Sequence, residues 1–307
     1  YPAPENAVEF TGDPGLKLVI GATAGKVIMA MNNARVPFDN LAVRQAISHA
    51  VDRDAIIEGA MFGYGEPIGS HYSRQDCAYV DQTARYTRDL QRSRDLLAEA
   101  GYPDGFEATL RLPPRPYARR SGEIIAAQLA EVGIRLNIEN IEWAQWLDQV
   151  FARREYDLTI IEHIEPMDFG IYARKDYYFG YTDSDFDALA ADFASEADPA
   201  AADNLLRQIQ EKIADDAVNV FLLQSAQIGV WKAGLNGLWV DTPIPANVAS
   251  LAYFDGRATS SGDRPLHTET GTSWLPFVFM FVIAMLLVQA LRHMGAAWFV
   301  SRLTSHA

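Results

Sequence analysis

Short apolar runs alternate with segments of helical periodicity through residues 16–225, and this alternation predicts a layered domain of strands and helices. The Gly- and Ala-rich segment 21–25 separates the first two apolar runs and predicts a hairpin turn between two strands. The predicted strands are 16–20, 27–31, 108–112, 134–138, 158–161 and 218–223, and the predicted helices are 41–52, 88–100, 122–132, 143–152, 201–214 and one that begins near 186.

The C-terminal part contains a long apolar segment. Residues 270–291 include no charged side chain and would form a helix of about 33 Å, enough to cross the hydrocarbon core of a membrane. We therefore predict a transmembrane helix at 274–291, with a buried core hairpin as the alternative. The preceding residues, 255–273, are rich in Gly, Ser, Thr and Pro, a composition typical of a linker.

Basic residues predict the orientation of this span. Arg292, His293 and Arg302 follow it, so the positive-inside rule predicts a cytoplasmic tail at 292–307 and places the rest of the chain on the other side of the membrane. The first residues, YPAPEN, lack the basic and apolar regions of a signal peptide, and we expect the chain to start at a cut.

The charge balance excludes one class of partner. With 26 Lys and Arg against 40 Asp and Glu, the formal net charge is −14 at pH 7. Nucleic-acid binding needs clustered basic residues that displace counterions from phosphates, so we expect no nucleic-acid partner. Apolar residues make up 49% of the chain, which predicts a folded core. The single cysteine, Cys77, cannot form an intrachain disulfide and is predicted to be a buried, unreactive thiol.

Common catalytic and ion-binding motifs do not fit this sequence. Segment 21–26 is one residue too short for a phosphate-binding loop. Asp183, Asp185 and Asp187 alternate as in a calcium loop, but alanine occupies the positions that need Gly and Glu, so we expect these aspartates at a helix N-terminus. Neither Gly-x-Ser-x-Gly nor His-Glu-x-x-His occurs, and we predict neither an enzyme nor a cofactor.

Several ordered segments carry a resemblance to a known family. They are FDN (38–40), VRQAI (43–47), DR (52–53), LLAEAGYPDGF (96–106), QLAEVGI (128–134), EW (142–143) and YDL (156–158). In this order they resemble the family 5 bacterial extracellular solute-binding proteins, the dipeptide- and oligopeptide-binding components of ABC importers. The resemblance covers about residues 15–254 and corresponds to the later half of proteins that close two lobes around a ligand.

The resemblance implies an α/β lobe of the type II periplasmic-binding-protein kind, with a mixed sheet flanked by helices. It also implies a division of the chain in which most of the first lobe is missing. Residues 1–31 would be a remnant of the first lobe with the crossover strands, 32–225 the second lobe, and 226–254 the return to the first lobe.

The implied function is the capture of di- or oligopeptides in the periplasm and their delivery to the permease subunits of an ABC importer. The C-terminal helix would anchor the chain in the inner membrane. Two alternatives remain open. The chain could be a receptor for another solute, such as an oligosaccharide, an opine or a nickel chelate, or a fragment of a fused receptor–permease chain.

A zwitterionic peptide needs a cation for its carboxylate and an anion for its ammonium group. Arg115-Pro116-Tyr117 resembles the Arg-Pro-Tyr of dipeptide-binding members, whose Arg binds the ligand carboxylate, so Arg115 and Tyr117 are predicted site residues. The planar guanidinium suits bidentate binding of a carboxylate. The alternative is a solvated loop arginine beside Arg119 and Arg120.

The resemblance places an acidic site after strand 158–161. Relatives carry an Asp for the ligand's amino group at the position of Glu162, so a longer side chain stands here. His163 and Asp168 are further candidates, with Asp168 the second choice for the amino group. Together with Glu165 these residues could be read as a metal cluster, but their mixture of hard carboxylates and one imidazole selects no metal clearly, and we predict no metal site.

An aromatic run follows the acidic site. Tyr177 and Tyr178 are predicted to pack on the ligand, since aromatic faces bind side chains or sugar rings. Ordinary core packing is the alternative interpretation. The whole run is Tyr172, Tyr177, Tyr178, Phe179 and Tyr181.

Overall fold

The computed structural model describes residues 1–242 and 247–255. A mixed six-stranded sheet with the strand order β2-β6-β1-β5-β3-β4 forms its centre, and a separate pair joins β7 to β8. The strands are β1 Leu16–Met31, β2 Gly65–Pro67, β3 Glu107–Leu112, β4 Arg135–Asn140, β5 Leu158–His163, β6 Asn219–Lys232, β7 Leu235–Asn236 and β8 Tyr253–Phe254. The helices are α1 Leu41–Ala50, α2 Arg53–Met61, α3 Leu90–Glu99, α4 Pro116–Ala130, α5 Trp143–Gln145, α6 Ser184–Ser195 and α7 Pro199–Asp215.

Shorter helical turns complete the fold. A π-helix at Trp146–Ala152 continues α5, and 3-10 helices cover Pro4–Phe10, Asp168–Ala173 and Ala249–Leu251. Strands β3, β4 and β5 are parallel, whereas β1 pairs antiparallel with both β5 and β6. This arrangement confirms the predicted α/β fold with a mixed sheet flanked by helices.

The predicted N-terminal hairpin is wrong. Both of its predicted strands belong to β1, because both pair with the same partner strand, from Leu16 opposite Lys232 to Ala30 opposite Asn219. The Gly- and Ala-rich segment that suggested a turn instead absorbs a shift of register between Ala22 and Lys26. Small residues permit such an irregularity without reversing the chain direction.

Several element boundaries also differ from the predictions. Helix α4 begins at Pro116 rather than at 122, since proline fits the first turn of a helix, where no backbone N–H is needed. Helix α2 was not predicted; Asp52 caps it by accepting a hydrogen bond from the Ala55 N–H at 3.0 Å. Strand β6 runs on to Lys232, beyond the predicted 223, because β1 remains its neighbour.

The sheet separates two cores. Along β1, Val27 and Met29 face a core shared with α1 to α4, which we call the helical face. Ile28 and Ala30 point the other way, into a core rich in tyrosine and phenylalanine that also contacts α6 and α7, which we call the aromatic face. Side chains alternate along a strand, so neighbouring residues of β5 also fall on opposite faces.

Two local predictions can be compared directly with the structure. Asp183 caps α6, as predicted, by accepting a hydrogen bond from the Phe186 N–H at 2.8 Å. Cys77 is exposed, so the prediction of a buried thiol is wrong. It lies in an irregular segment outside the helices and strands, where burial cannot be inferred from periodicity.

The predicted membrane span, its tail and the linker beyond residue 255 lie outside the described residues. Among the residues that are described, no helix is both long enough and apolar enough to cross a bilayer.

Candidate functional site

The parallel strands β3, β4 and β5 end at one edge of the sheet. The segment after β3 carries Arg115, the segment after β4 leads to Trp143, and β5 ends with Glu162 and His163. In open α/β sheets, ligands bind outside the carboxyl ends of the strands. This edge is therefore the candidate binding site.

Arg115 occupies the position immediately before α4, so it lies at a helix N-terminus rather than in an extended loop. Its side chain is exposed, and the guanidinium carbon lies 5.3 Å from the centre of the Trp143 ring. This cation–π contact holds the cation at the site edge without neutralising its charge. The two features allow Arg115 to receive an anionic group from solvent.

Glu162 faces the same side of the sheet as Val27, its partner in the β1–β5 pairing. Tyr117 braces the strand here, because its hydroxyl oxygen accepts a hydrogen bond from the Glu162 N–H at 3.0 Å. Burial raises the pKa of Glu162, against the opposing effects of a hydrogen bond from Ser225 and the charges of Arg115 and Lys26. A ligand cation placed here would stabilise the ionised carboxylate.

Gly25 provides the space for this carboxylate. A Cβ atom at position 25 would overlap the Glu162 carboxylate and press on the Thr23 hydroxyl. Only glycine leaves the acidic group in its present place.

His163 and Asp168, although predicted beside Glu162, belong to the aromatic face. His163 pairs across the strands with Lys26, which is 0% exposed. Asp168 lies between three basic side chains: its Oδ1 is 2.8 Å from Nε2 of His71 and 3.4 Å from Nζ of Lys26, and its Oδ2 is 3.3 Å from Nδ1 of His163. We call Lys26, His71, His163 and Asp168 the buried ionic cluster.

The pKa values reflect this packing. Burial opposes ionisation of Asp168, but His71, His163 and Lys26 together hold the pKa of its carboxyl well below the usual range. Burial lowers the pKa of His71 to about 4 in spite of the neighbouring Asp168 carboxylate, so the ring is neutral at pH 7. Asp168 therefore already has its cation, in contrast to Glu162.

The two predicted tyrosines also lie on the aromatic face. Tyr178 is 1% exposed, stacks on His163 and makes a hydrogen bond between its hydroxyl and Nε2 of that ring at 3.0 Å. Tyr177 is buried between Phe151 and Arg174. This arrangement is the core packing that the sequence analysis gave as the alternative. A ligand could contact Tyr178 only if the residues that bury it moved, so ligand contact by this tyrosine stays a prediction.

Sequence reasoning missed Lys26, His71, Gly25 and Ser225. A lysine within the apolar run of β1 was a usable signal, because a charge in a strand interior needs a buried partner. His71 lies in an irregular segment with no periodicity, and Gly25 had been assigned to a turn. The four residues that could be read as a metal cluster are also divided, since Glu162 points to the helical face and Glu165 offers its backbone oxygen to Lys26.

A cavity of about 440 Å³ lies beside β1, β2 and β6. Its wall includes Ser225, Glu66 and Asp241. The Glu66 carboxylate pairs with Arg74 at 2.8 Å, and the Asp241 carboxylate accepts a hydrogen bond from the Ala22 N–H at 2.8 Å.

Comparison with known proteins places this arrangement in a family. Residues 1–185 match the sequence profile described as "Bacterial extracellular solute-binding proteins, family 5 Middle". Heme-binding protein A of Haemophilus influenzae is 33% identical over 151 residues, which are 48% of this chain and 28% of that protein. The dipeptide-binding protein of Escherichia coli is 33% identical over 152 residues, with the same shares of the two chains.

A longer alignment is found with the glutathione-binding protein GsiB of Salmonella paratyphi A, which is 26% identical over 82% of this chain and 48% of its own length. The chain thus spans about half the length, or less, of the curated relatives that it matches.

Solved structures share the fold. The substrate-binding protein CtaP of Listeria monocytogenes superposes with a TM-score of 0.75 at 19% identity, over 82% of this chain and 55% of that one. DppA of Helicobacter pylori, solved with the peptide STSA, gives 0.73 at 20% identity, over 83% and 52%. With the sequence profile, which covers more than half of the residues, these likenesses show that the chain belongs to the family 5 bacterial extracellular solute-binding proteins.

Proposed function

We propose that the chain is the ligand-binding lobe of a receptor that captures peptides in the periplasm and delivers them to the permease of an ABC importer. The observation that carries this proposal is the pair Arg115 and Glu162. An exposed guanidinium and a partly buried carboxylate lie at the same edge of the sheet, close enough for Arg115 to lower the pKa of Glu162. A zwitterionic peptide offers one partner for each. Its capture requires no chemical turnover.

The roles of the two residues follow from their surroundings. Arg115 would bind the peptide carboxylate in a bidentate manner, with its orientation kept by the ring of Trp143. Glu162 would bind the ammonium group, and the energy of this contact is enhanced by its burial. Tyr117 would act through the backbone of Glu162, which it fixes. The names of the dipeptide-binding and glutathione-binding relatives support a peptide ligand.

The proposal includes a division between two lobes. Residues 32–225 would form one lobe, while 1–31 and 226–254 would lead into the other. In support, β1 and β6 remain paired from Leu16–Lys232 to Ala22–Ala226, beyond the region where β5 lies beside β1. The two long strands would form the crossover.

The membrane part of the proposal rests on the apolar sequence at 274–291, which would tether the receptor to the inner membrane with a cytoplasmic C-terminus. A tethered receptor stays near its permease. The same sequence would fit a receptor fused to a permease, and a permease domain encoded directly after this chain would distinguish the two cases.

A second candidate ligand is a flat apolar solute with an acidic group. Trp143, Leu147 and Phe151 lie four residues apart along one helical segment, and each is about 40% exposed. The first of them, Trp143, contacts Arg115. The matched heme-binding relative is consistent with such a ligand. Binding of this solute would use Arg115 for the acidic group and the three exposed apolar side chains for the flat surface, but it would leave Glu162 without a role.

Blocked peptides can test the proposal on the purified 307-residue chain. Saturation-transfer NMR detects the weak binding expected of a single lobe. We expect a saturation-transfer signal from Ala-Leu and a much weaker signal from the two blocked peptides. N-acetyl-Ala-Leu lacks the ammonium charge, and Ala-Leu amide lacks the carboxylate charge. Equal signals from all three would refute the proposed recognition. Loss for the amide alone would favour the second candidate.

A further inference from the structure

The ammonium group of Lys26 has a complete set of hydrogen-bond acceptors inside the protein. It donates to the backbone oxygens of Glu165 at 2.7 Å and Ala24 at 3.1 Å, and its ion pair with Asp168 measures 3.4 Å. The side chain is wholly buried, while Asp168 is 13% exposed. A buried lysine with three such partners is fixed in position.

The two histidines direct one ring nitrogen each at Asp168. The ionised carboxylate can only accept, so Nε2 of His71 carries the proton of their 2.8 Å hydrogen bond. Nδ1 of His71 then accepts from the hydroxyl of Tyr172 at 3.0 Å, and Tyr172 in turn accepts from Asn219. The other nitrogen of His163 is held by Tyr178 in the same way.

This geometry is that of a cation site. One nitrogen from each histidine and a carboxylate oxygen lie within 4.8 Å of one another, the arrangement of three ligands around a metal ion. The opposite nitrogen of each ring makes a hydrogen bond with a tyrosine hydroxyl, that of Tyr172 or Tyr178. If Nε2 of His71 bound a metal ion, its proton would move to Nδ1, and the Tyr172 hydroxyl would accept from Nδ1–H instead of donating to it. The positive charge, however, is already supplied by Lys26.

We propose that Lys26 is the built-in cation of the buried ionic cluster, where it keeps free divalent metal ions out and fixes the turn from Glu165 to Asp168. A metal ion added beside the ammonium would bring two further positive charges into a buried cluster whose carboxylate, Asp168, already pairs with Lys26, a strongly unfavourable arrangement. Once the ammonium is removed, the same two imidazoles and carboxylate become suitable ligands for Co²⁺ or Zn²⁺.

The proposal has a functional consequence that rests on the proposed peptide site. The turn held by Lys26 begins three residues after Glu162, so the cluster on the aromatic face keeps in place the chain that leaves the acidic side of the binding site. Lys26 is then a positioning residue for a site that it does not touch. Metal binding by a variant needs no solute, so it tests the cluster separately from peptide recognition.

The test compares Co²⁺ binding by the wild-type chain, by Lys26→Met and by the double variant Lys26→Met with His71→Phe. Visible ligand-field absorption reports coordination by nitrogen. We expect Lys26→Met to bind one Co²⁺ at least about 100-fold more tightly than the wild type, and the double variant to lose this gain. A wild-type site of equal affinity that depends on His71 would overturn the proposal, as would a Lys26→Met variant without tighter binding.

Thermal denaturation provides a second measurement. Lys26→Met should melt below the wild type, and Co²⁺ should raise its midpoint while leaving the wild-type midpoint unchanged. If Lys26→Met does not fold by itself, refolding with and without Co²⁺ replaces the melt. Recovery that requires the ion supports the proposal, and a chain that stays unfolded in both solutions contradicts it. Lys17→Met, at an exposed position of the same strand, is the matched control.

Discussion

Replacing Asp168 by Asn probes the energetic centre of the aromatic face. The amide keeps the size of the carboxylate but removes its charge, so Lys26 is left buried without its counter-ion. Asp76 is a second carboxylate close enough to Lys26 for their charges to interact. Its carboxylate accepts a hydrogen bond from the Ser73 N–H at 2.7 Å. In the described part of the chain, the ion pair of Lys26 is made with Asp168 and not with Asp76.

The magnitude follows from breaking a buried ion pair on one side, which costs about 3–5 kcal/mol. The amide also offers a donor where His163 expects an acceptor. For a domain of this size, such a loss corresponds to a decrease of roughly 6–20 °C in melting temperature. Lys26→Met combined with Asp168→Asn should recover part of the loss, because both charges are then absent.

Urea unfolding monitored by tryptophan fluorescence at pH 7 measures this effect. Asp176→Asn is the matched control in the same segment, since Asp176 is exposed and its ion pair with Arg174 spans 3.8 Å; we expect a change below about 1 kcal/mol. The native pKa of Asp168 is depressed, so its stabilisation is present above its unfolded pKa and decreases as the pH falls below about 4. An Asp168→Asn loss under about 1 kcal/mol at pH 7 would refute this account of the cluster.

Three further predictions concern the site and its support. Gly25→Ala should displace the Glu162 carboxylate and weaken Ala-Leu binding roughly tenfold, while the melting temperature changes little. Unchanged affinity would contradict the close approach of Gly25 to the Glu162 carboxylate. Glu162→Gln should melt above the wild type at pH 7, because burial raises the native pKa of Glu162 and disfavours its charged form. This gain in melting temperature should vanish as the pH falls towards about 4.5, where the carboxyl group becomes protonated. A gain that persists at acidic pH would contradict the electrostatic cause. Asn33→Ala removes a side-chain nitrogen that donates to the backbone oxygens of Met31, Phe179 and Val218. The free energy of unfolding in urea should fall by about 1–3 kcal/mol. An unchanged free energy of unfolding would contradict a stabilising role for these hydrogen bonds.

Much of the fold could be predicted because it depends on local patterns. Periodicity and capping residues located α1, α3, α6 and α7. The hairpin error shows the limit of such patterns: whether Gly21–Gly25 reverses the chain depends on β6, some 200 residues away, which pairs with both ends of β1. No local property of that segment contains this information.

The candidate site was predictable only in part, for a related reason. Resemblance to the family indicated Arg115 and Glu162, and the structure places both at the carboxyl edge of the parallel strands. The resemblance also grouped Glu162 with His163, although consecutive residues of a strand point to opposite faces of the sheet. The prediction had ended β5 at residue 161 and so treated both residues as loop. Lys26 and His71 come from distant segments that meet only in the fold.

The most direct test of the central claim is a cycle that changes the protein and the ligand together. Binding of Ala-Leu and of Ala-Leu amide is compared for the wild-type chain, Arg115→Ala and the control Arg174→Ala, whose arginine lies on the aromatic face beside Tyr177. The account predicts that Arg115→Ala weakens binding of the free dipeptide by tenfold or more, about 1.4 kcal/mol, but leaves binding of the amide unchanged. Equal losses for both ligands, or no loss for either, would contradict the recognition of a peptide carboxylate by Arg115.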